Sequence, residues 1–502
     1  MLQVDRINDV DQLKQVTRLT LKENEKLHKR IVELTQEIAR LKGESSQGKL
    51  ELEFERLQQQ LDRFQRRLFA DSSEKRGSAE QDASSSETPR RGHGPRAQKK
   101  LPIEEVVHEL VEDERRCPTC CGALSEMQDQ YEESEEITMV RRQFVLLRHR
   151  RQKYRCRCNG AVVTAPGPVK LIPGGRYAVE FAAEVATSKY LDHLPLDRQR
   201  RIMAREGLQI DTQTLWDQLH ALYRHLKPTY DALGRRVLDA PQIGADETWW
   251  RVMGKGVSKR WWDWCLSTPD AVFHKIHRSR SAEAVRELLA GYEGTAITDG
   301  YKAYETLARA ESGVKLAHCW SHVRRKYIEI ESFYPEPCRE ILDLIRELYA
   351  LEKTVPPGDD SLPLRARVRK RQSAPVVKRI RDWALAQRSS PRSGLREAID
   401  YMLGLWTGLT RFLEDPGVPL DNNATERALR GVVVGRKNHY GSRSERGTRV
   451  AALFYSLLET AKLCDLEPRD YLAQATRHAI ANPGSVLLPH DLVKSPLKES
   501  AA

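Results

Sequence analysis

No stretch of this 502-residue chain approaches the roughly 18 consecutive apolar residues that a bilayer-spanning helix needs. Its first residues, MLQVDRINDV, also lack the basic-then-apolar layout of a secretory leader. Both absences lead us to expect a cytoplasmic protein with no membrane partner. Cysteine is sparse, nine in all, which suits a reducing compartment. Apolar side chains almost vanish from residues 71–100, so that segment cannot bury enough surface to fold and is expected to be a flexible linker. An acidic balance is absent too: 83 Lys and Arg face 71 Asp and Glu, a net charge of +12. That sign favours polyanionic partners, of which nucleic acid is the commonest.

What is present divides the chain. Residues 1–70 read as a coiled-coil arm: Leu27, Ile31, Leu34, Ile38 and Leu41 step by four and three, the heptad seam. Asn24 falls on the same seam, where a buried amide favours a defined register and often two strands, so a homodimer or higher oligomer is expected. Residues 101–170 form a cysteine-rich unit, and residues 171–240 look helical throughout. Residues 241–465 read as an α/β domain with a helical insertion at about 321–415, and 466–502 as a C-terminal segment.

In the α/β domain, PQIGADETWWRVM, RWWDWCLST and AVFHKIH are three strands joined by tight turns, an antiparallel meander. SAEAVRELLAGY is then a Ser-capped helix, TAIT a fourth strand and KLAHC a possible fifth. If the helical crossover returns the fourth strand beside the first, Asp246 and Asp299 stand on adjacent strands and can share a metal ion. Glu247 and Asp263 compete with Asp246 for that place. Glu426 is the third acid, in LDNNATERALRGVVVGRKNHYGS, on a helix that Asp421, Asn422 or Asn423 can cap. Arg430 lies one turn further along and could be its ion-pair partner. In-line displacement at phosphorus needs such a set, because two divalent ions activate the attacking oxygen and stabilise the leaving one. Mg²⁺ or Mn²⁺ with three carboxylates is the expected form, and Arg427, Arg430, Arg436 and Lys437 follow closely enough to hold phosphates.

The segments ADETWW, TDGYKAY, HCWSHVRRKY and DNNATERALRGVVVGRKNHYGS resemble those of DDE transposases in the insertion sequence 66 family, and the similarity runs over roughly residues 13–490. The resemblance implies a leucine-zipper arm, a small zinc finger and a ribonuclease-H-like catalytic core, making the whole a multidomain α/β protein. It implies that Asp246, Asp299 and Glu426 are the catalytic acids. It also implies DNA partners, both element ends and target, a nucleoid location and possible accessory proteins of the same element. A structure-selective nuclease on the same core, or a non-catalytic DNA-binding regulator, are the rival readings.

Cys117-x-x-Cys120 has good spacing for structural zinc. Its expected partner pair, Cys156-x-Cys158, is one residue tighter than the family's usual CxxC, and Cys121 could substitute for a neighbour. His318, Cys319 and His322 invite a metal reading as well, but a structural or DNA-contacting role with Arg324 and Arg325 is preferred. The stretch LRARVRKRQSAPVVKRIRDW, read as a break in the insertion's helices, is expected to be a DNA track. The tryptophans at 249, 250, 261, 262 and 264 are expected as core or cross-strand pairs rather than base-stacking groups.

Overall fold

The structure is a computed structural model and describes residues 143–155, 161–254, 258–310, 313–389 and 393–494. The expected coiled coil, the linker and the four zinc-ligand candidates Cys117, Cys120, Cys156 and Cys158 lie outside the described residues.

A short ladder, β1 (Lys153–Arg155) with β2 (Val162–Thr164), pairs antiparallel. Three helices follow: α1 (Val179–Tyr190), α2 (Leu196–Arg205) and α3 (Thr212–Leu238). In α3, Leu215, Leu219, Leu222, Leu226, Leu233 and Val237 recur at helical spacing and are all buried, so one apolar stripe drives the helix onto the core.

The central sheet contains β3 (Gln242–Met253), β4 (Ser258–Ser267), β5 (Val272–His277), β6 (Thr295–Thr298) and β7 (Lys315–His318). Its spatial order is β5-β4-β3-β6-β7. The first three strands are the antiparallel meander that the turns imply. Helix α4 (Ala282–Leu288) carries the chain back so that β6 runs parallel to β3, and α5 (Lys302–Ala310) does the same for β7 beside β6. The fourth strand therefore does return beside the first. Trp249 stands directly opposite Trp262 and Trp250 opposite Trp261, as cross-strand pairs; Trp250 and Trp264 are wholly buried.

Strand alternation sends Gly244, Asp246, Thr248 and Trp250 to one face of the sheet, with Ser267, Cys265, Asp263 and Trp261 opposite them across β3–β4 or diagonal to them. Two late helices cover that face, α12 (Asn423–His439) and α13 (Glu445–Leu463). Polar stitches hold α13 to β5: the His274 N–H donates to Ser456 Oγ at 2.8 Å and the Val272 N–H to Thr460 Oγ1 at 3.0 Å. On the opposite face, Tyr230 of α3 packs on Phe273 and Tyr304 of α5 lies edge-on to Trp264.

Between β7 and α12 comes the helical insertion: α6 (Trp320–Ile330), α7 (Pro335–Lys353), α8 (Leu362–Val368), α9 (Ala374–Ala386), α10 (Gly394–Gly404) and α11 (Trp406–Thr410). It has a core of its own, built on Trp320, Tyr327, Ile341, Ile345, Ile399 and Met402. The basic, Pro-containing stretch does not interrupt these helices. One π-turn, Arg369–Ser373, joins α8 to α9, and Pro375 falls in the first turn of α9, where a missing N–H costs nothing. Arg369 in this stretch is buried at 1% exposure, paired with Glu352 and donating to the carbonyls of Phe412, Asp415 and Val418. It ties the insertion together and is closed to DNA. Beyond α13 the chain ends in α14 (Pro468–Ala481) and α15 (Pro489–Lys494).

Under the α12–α13 face, Asp263 and His274 form an ion pair at 2.9 Å with both side chains fully buried. Burial opposes a charge on His274, but the neighbouring Cys265 and Asp263 hold its pKa well above the ordinary imidazole value. Removing one partner strands a buried charge, so His274→Ala should lose about 3–5 kcal/mol of stability in chemical denaturation. A loss below about 1 kcal/mol would show that the pair does not hold the sheet to its helices.

Candidate active site

Asp246 and Asp299 come together through strand register. Gln242 pairs with Thr295, Ile243 with Ala296 and Gly244 with Ile297. Two residues further along, the same register sets Asp246 beside Asp299, which follows directly on the last residue of β6. On the other side Thr298 pairs with His318, and the Cys319 N–H donates to the Thr298 carbonyl at 3.2 Å. Asp246, partway along β3, thus falls level with Asp299 and Cys319, which directly follow the carboxyl ends of β6 and β7, the side on which open α/β sheets bind ligands.

Each acid is anchored locally. The Asp246 carboxylate accepts the Glu247 N–H at 2.8 Å, and that of Asp299 accepts the Tyr301 N–H at 2.9 Å. Tyr401, from α10 of the insertion, donates to the Asp299 carbonyl at 2.9 Å. Gly300 has φ +88°, a left-handed turn that glycine adopts freely, and Leu405 packs where a Cβ would stand.

Glu426 arrives on the first turn of α12. The expected caps divide their work: the Asp421 carboxylate accepts the Asn423 N–H at 3.1 Å, whereas Asn422 turns to the sheet. Its Nδ2 donates to the Ala245 carbonyl at 2.9 Å, and its Oδ1 accepts the Thr425 hydroxyl at 2.5 Å. Thr425 Oγ1 also meets Ser267 Oγ at 2.7 Å. All of this lies against Gly244, where a Cβ would collide with both Thr425 and Asn422. The clamp fixes Glu426 over the same edge as Asp246. Nothing in the DNN run marks Asn422 as a clamp, since its partner is a backbone carbonyl 177 residues away.

The neighbours of Glu426 are His322, with Nε2 3.7 Å away, and Arg325 at 4.0 Å. The anticipated pairing with Arg430 is not what the structure shows. The competing acids are committed elsewhere: Glu247 points to the opposite face, paired with Arg280 and accepting from Tyr304, and Asp263 is locked to His274. His318 is buried, its Nδ1 3.4 Å from Thr298 Oγ1. Arg324 and Arg325 are partly exposed on α6, and Arg427, Arg430 and Lys437 are exposed on α12. Arg436 is placed differently. It is buried, stacked at 3.7 Å over the Trp249 ring and bonded to Thr248 Oγ1 and the Trp249 carbonyl. One terminal guanidinium nitrogen makes both bonds, which pin α12 to β3, while its Nε is buried without a partner.

Burial, and then the charges of Glu247, Asp299 and Glu426, push the Asp246 carboxyl up to about 8, against the pull of the Glu247 N–H. Glu426 Oε1 is shut off from solvent and accepts no hydrogen bond. An acid kept neutral by burial and then by its acidic neighbours, and an orphaned carboxylate oxygen, both lack positive charge, so the donor set fits divalent cations bound by oxygen.

A family model described as "Transposase IS66 family" matches residues 174–450, which span the sheet, the insertion and α12. A second, "zinc-finger binding domain of transposase IS66", matches residues 114–159, the cysteine-rich unit. The chain belongs to the Transposase IS66 family. Its relatives include the "Uncharacterized protein y4jD" of Sinorhizobium fredii, 32% identical over 405 residues and covering 76% of this chain and 78% of the relative. A second from the same organism, "Uncharacterized protein y4qI", is 32% identical over 402 residues, covering 76% and 74%.

Raised pKa and metal binding are linked through the proton on Asp246. Its folded pKa of about 8 exceeds the ordinary value of 3.8, so this group stabilises the metal-free fold below pH 3.8 and that contribution is lost as pH rises through about 8. A divalent ion held there would take the proton's place. Calorimetry in buffers of different ionisation enthalpy should show proton release on Mg²⁺ binding near neutral pH, with affinity climbing as pH approaches about 8. Binding that is flat with pH would remove Asp246 from the ligand set. Gly244→Ala should displace α12 and weaken Mg²⁺ uptake by at least about tenfold while the chain still folds, read by calorimetry alongside far-UV dichroism.

Proposed function

We propose that this chain is a DDE-type transposase that cuts at the ends of an insertion element and joins the freed 3′-hydroxyl strands to target DNA. The observation that carries the reading is Asp246 in register with Asp299 on adjacent parallel strands, with the start of α12, which bears Glu426, held to β3 beside them and both acids acting on the Asp246 carboxyl. The sheet order supports a ribonuclease-H-like core: a meander whose first strand is flanked by two further parallel strands. Membership of a transposase family and the basic charge point the same way.

Asp246, Asp299 and Glu426 would hold Mg²⁺ or Mn²⁺, which when bound supply activation of the attacking oxygen and stabilisation of the leaving one. Asp246, central among the acids, gives up its proton on loading. Arg325 reaches the site edge beside Glu426, and Arg324 lies one residue before it on α6. Arg427, Arg430 and Lys437 line the exposed side of α12 and neutralise DNA phosphates. Arg436 acts through α12, as a positioning residue. The Cys117, Cys120, Cys156 and Cys158 set would hold structural Zn²⁺ in the end-recognition finger, and the coiled-coil arm would join two subunits for an element with two ends.

Asp299→Asn should abolish Mg²⁺-dependent cleavage of labelled element ends while leaving end binding intact in a mobility-shift assay. Cleavage at the wild-type rate would refute the site. Supplying a pre-cut end and finding no joined product would instead favour a nuclease without strand transfer. Replacing Arg427 and Arg430 together by Ala should lower the salt-dependence slope of DNA binding by about two, roughly one for each phosphate no longer neutralised.

A further inference from the structure

Cys319 and His322 are left over once the three acids are assigned. Cys319 holds the N-cap position of α6, and His322 follows one turn later, so the short spacing puts both at one end of the helix. The Cys319 Sγ, a His322 ring nitrogen and a Glu426 carboxylate oxygen lie within 4.8 Å of one another. Among the described residues no other three such groups come that close, the acidic triad included. His322 Nδ1, like Glu426 Oε1, is shut off from solvent and has no hydrogen-bond partner. The Cys319 sulfur touches Ser321 Oγ at 3.0 Å and the Asn422 N–H at 3.2 Å, and it is otherwise buried.

We infer that Cys319, His322 and Glu426 form a second site, sharing Glu426 with the acidic triad, for a divalent ion of the zinc–cobalt class. Thiolate and imidazole are the wrong partners for Mg²⁺, which demands oxygen, and the right ones for Zn²⁺ or Co²⁺. Around one such ion, bonds of roughly 2.0–2.3 Å set ligand atoms about 3.5 Å apart, so the side chains need close by only about 1 Å. Three protein ligands with the fourth position open is the arrangement of zinc sites that also bind an exchangeable group. Binding would neutralise Glu426, satisfy its orphaned oxygen and release the thiol proton. It would fix the start of α12 to the start of α6, and hence the third acid to the strand row. The site needs Glu426 in place but does not rest on the strand-transfer reading.

The test uses full-length protein with all five cysteines between residues 117 and 158 changed to Ser, which removes the expected finger. Metal is stripped with chelator, Co²⁺ is added, and the thiolate-to-cobalt charge-transfer band is followed. One equivalent of Co²⁺ should bind with that band, survive excess Mg²⁺ and be displaced by Zn²⁺. Cys319→Ser should abolish the band, and His322→Ala, at a partly exposed helix position, should weaken binding by more than about 100-fold. Asp299→Asn should leave the band unchanged, so loss of cleavage and loss of this site are read separately. No thiolate band in the finger-less protein, or a band that persists in Cys319→Ser, overturns the inference. Melting temperature, read on every variant, excludes misfolding as the cause of a lost band.

Discussion

Carboxylates crowded at one edge of a sheet repel one another, and the whole region is arranged around that repulsion. Five acids lie on or near the β3 edge, and four have a visible answer. Glu247 has Arg280, Asp263 has His274, Glu426 has His322 and Arg325 nearby, and Asp299 takes the Tyr301 N–H. Asp246 accepts only the Glu247 N–H and has no cation beside it, and burial first, then the neighbouring carboxylates, push its pKa up to about 8. Burial raises the Glu247 carboxyl as well, but there Arg280 pulls back.

Bringing the third acid in depends on a close approach rather than on charge. Helix α12 can lie on β3 because Gly244 presents no side chain and Asn422 spends its amide on the Ala245 carbonyl. Arg436 repeats the attachment about four turns later, and the Ser442 hydroxyl takes the Trp250 indole N–H at 3.2 Å. The helix is therefore fastened to one strand at both ends. The insertion contributes from the other side, through Tyr401 on Asp299 and the Trp320 N–H on the Leu420 carbonyl at 3.0 Å.

Much of this was legible from residue pattern. Turn spacing gave the meander and the helical crossover gave the return of β6 beside β3, whereas residue pattern left Glu247 and Asp263 competing with Asp246, and the choice of Asp246, Asp299 and Glu426 came from the family resemblance. The tryptophan alternation gave the Trp249–Trp262 and Trp250–Trp261 pairs. Four features were hidden, for one physical reason. Asn422 reads as a helix cap, Arg436 as one more phosphate contact, Asp263 as a rival acid and Arg369 as part of a DNA track. Their roles are set by partners far off in sequence, often a backbone carbonyl, and local pattern carries no record of those. Composition could not separate a basic residue facing solvent from one consumed inside, as the contrast between Arg430 and Arg436 illustrates.

The bonds that complete the edge span long stretches of chain: Asn422 to Ala245 across 177 residues and Thr460 to Val272 across 188. Pairings of that separation form late and slowly. On the ribosome the two aspartates emerge and their strands can pair long before α12 exists. The insertion, with its independent core, must be made in between. A nascent or prematurely terminated chain therefore carries the two aspartates without Glu426, and the acidic cluster cannot be completed until synthesis is nearly over.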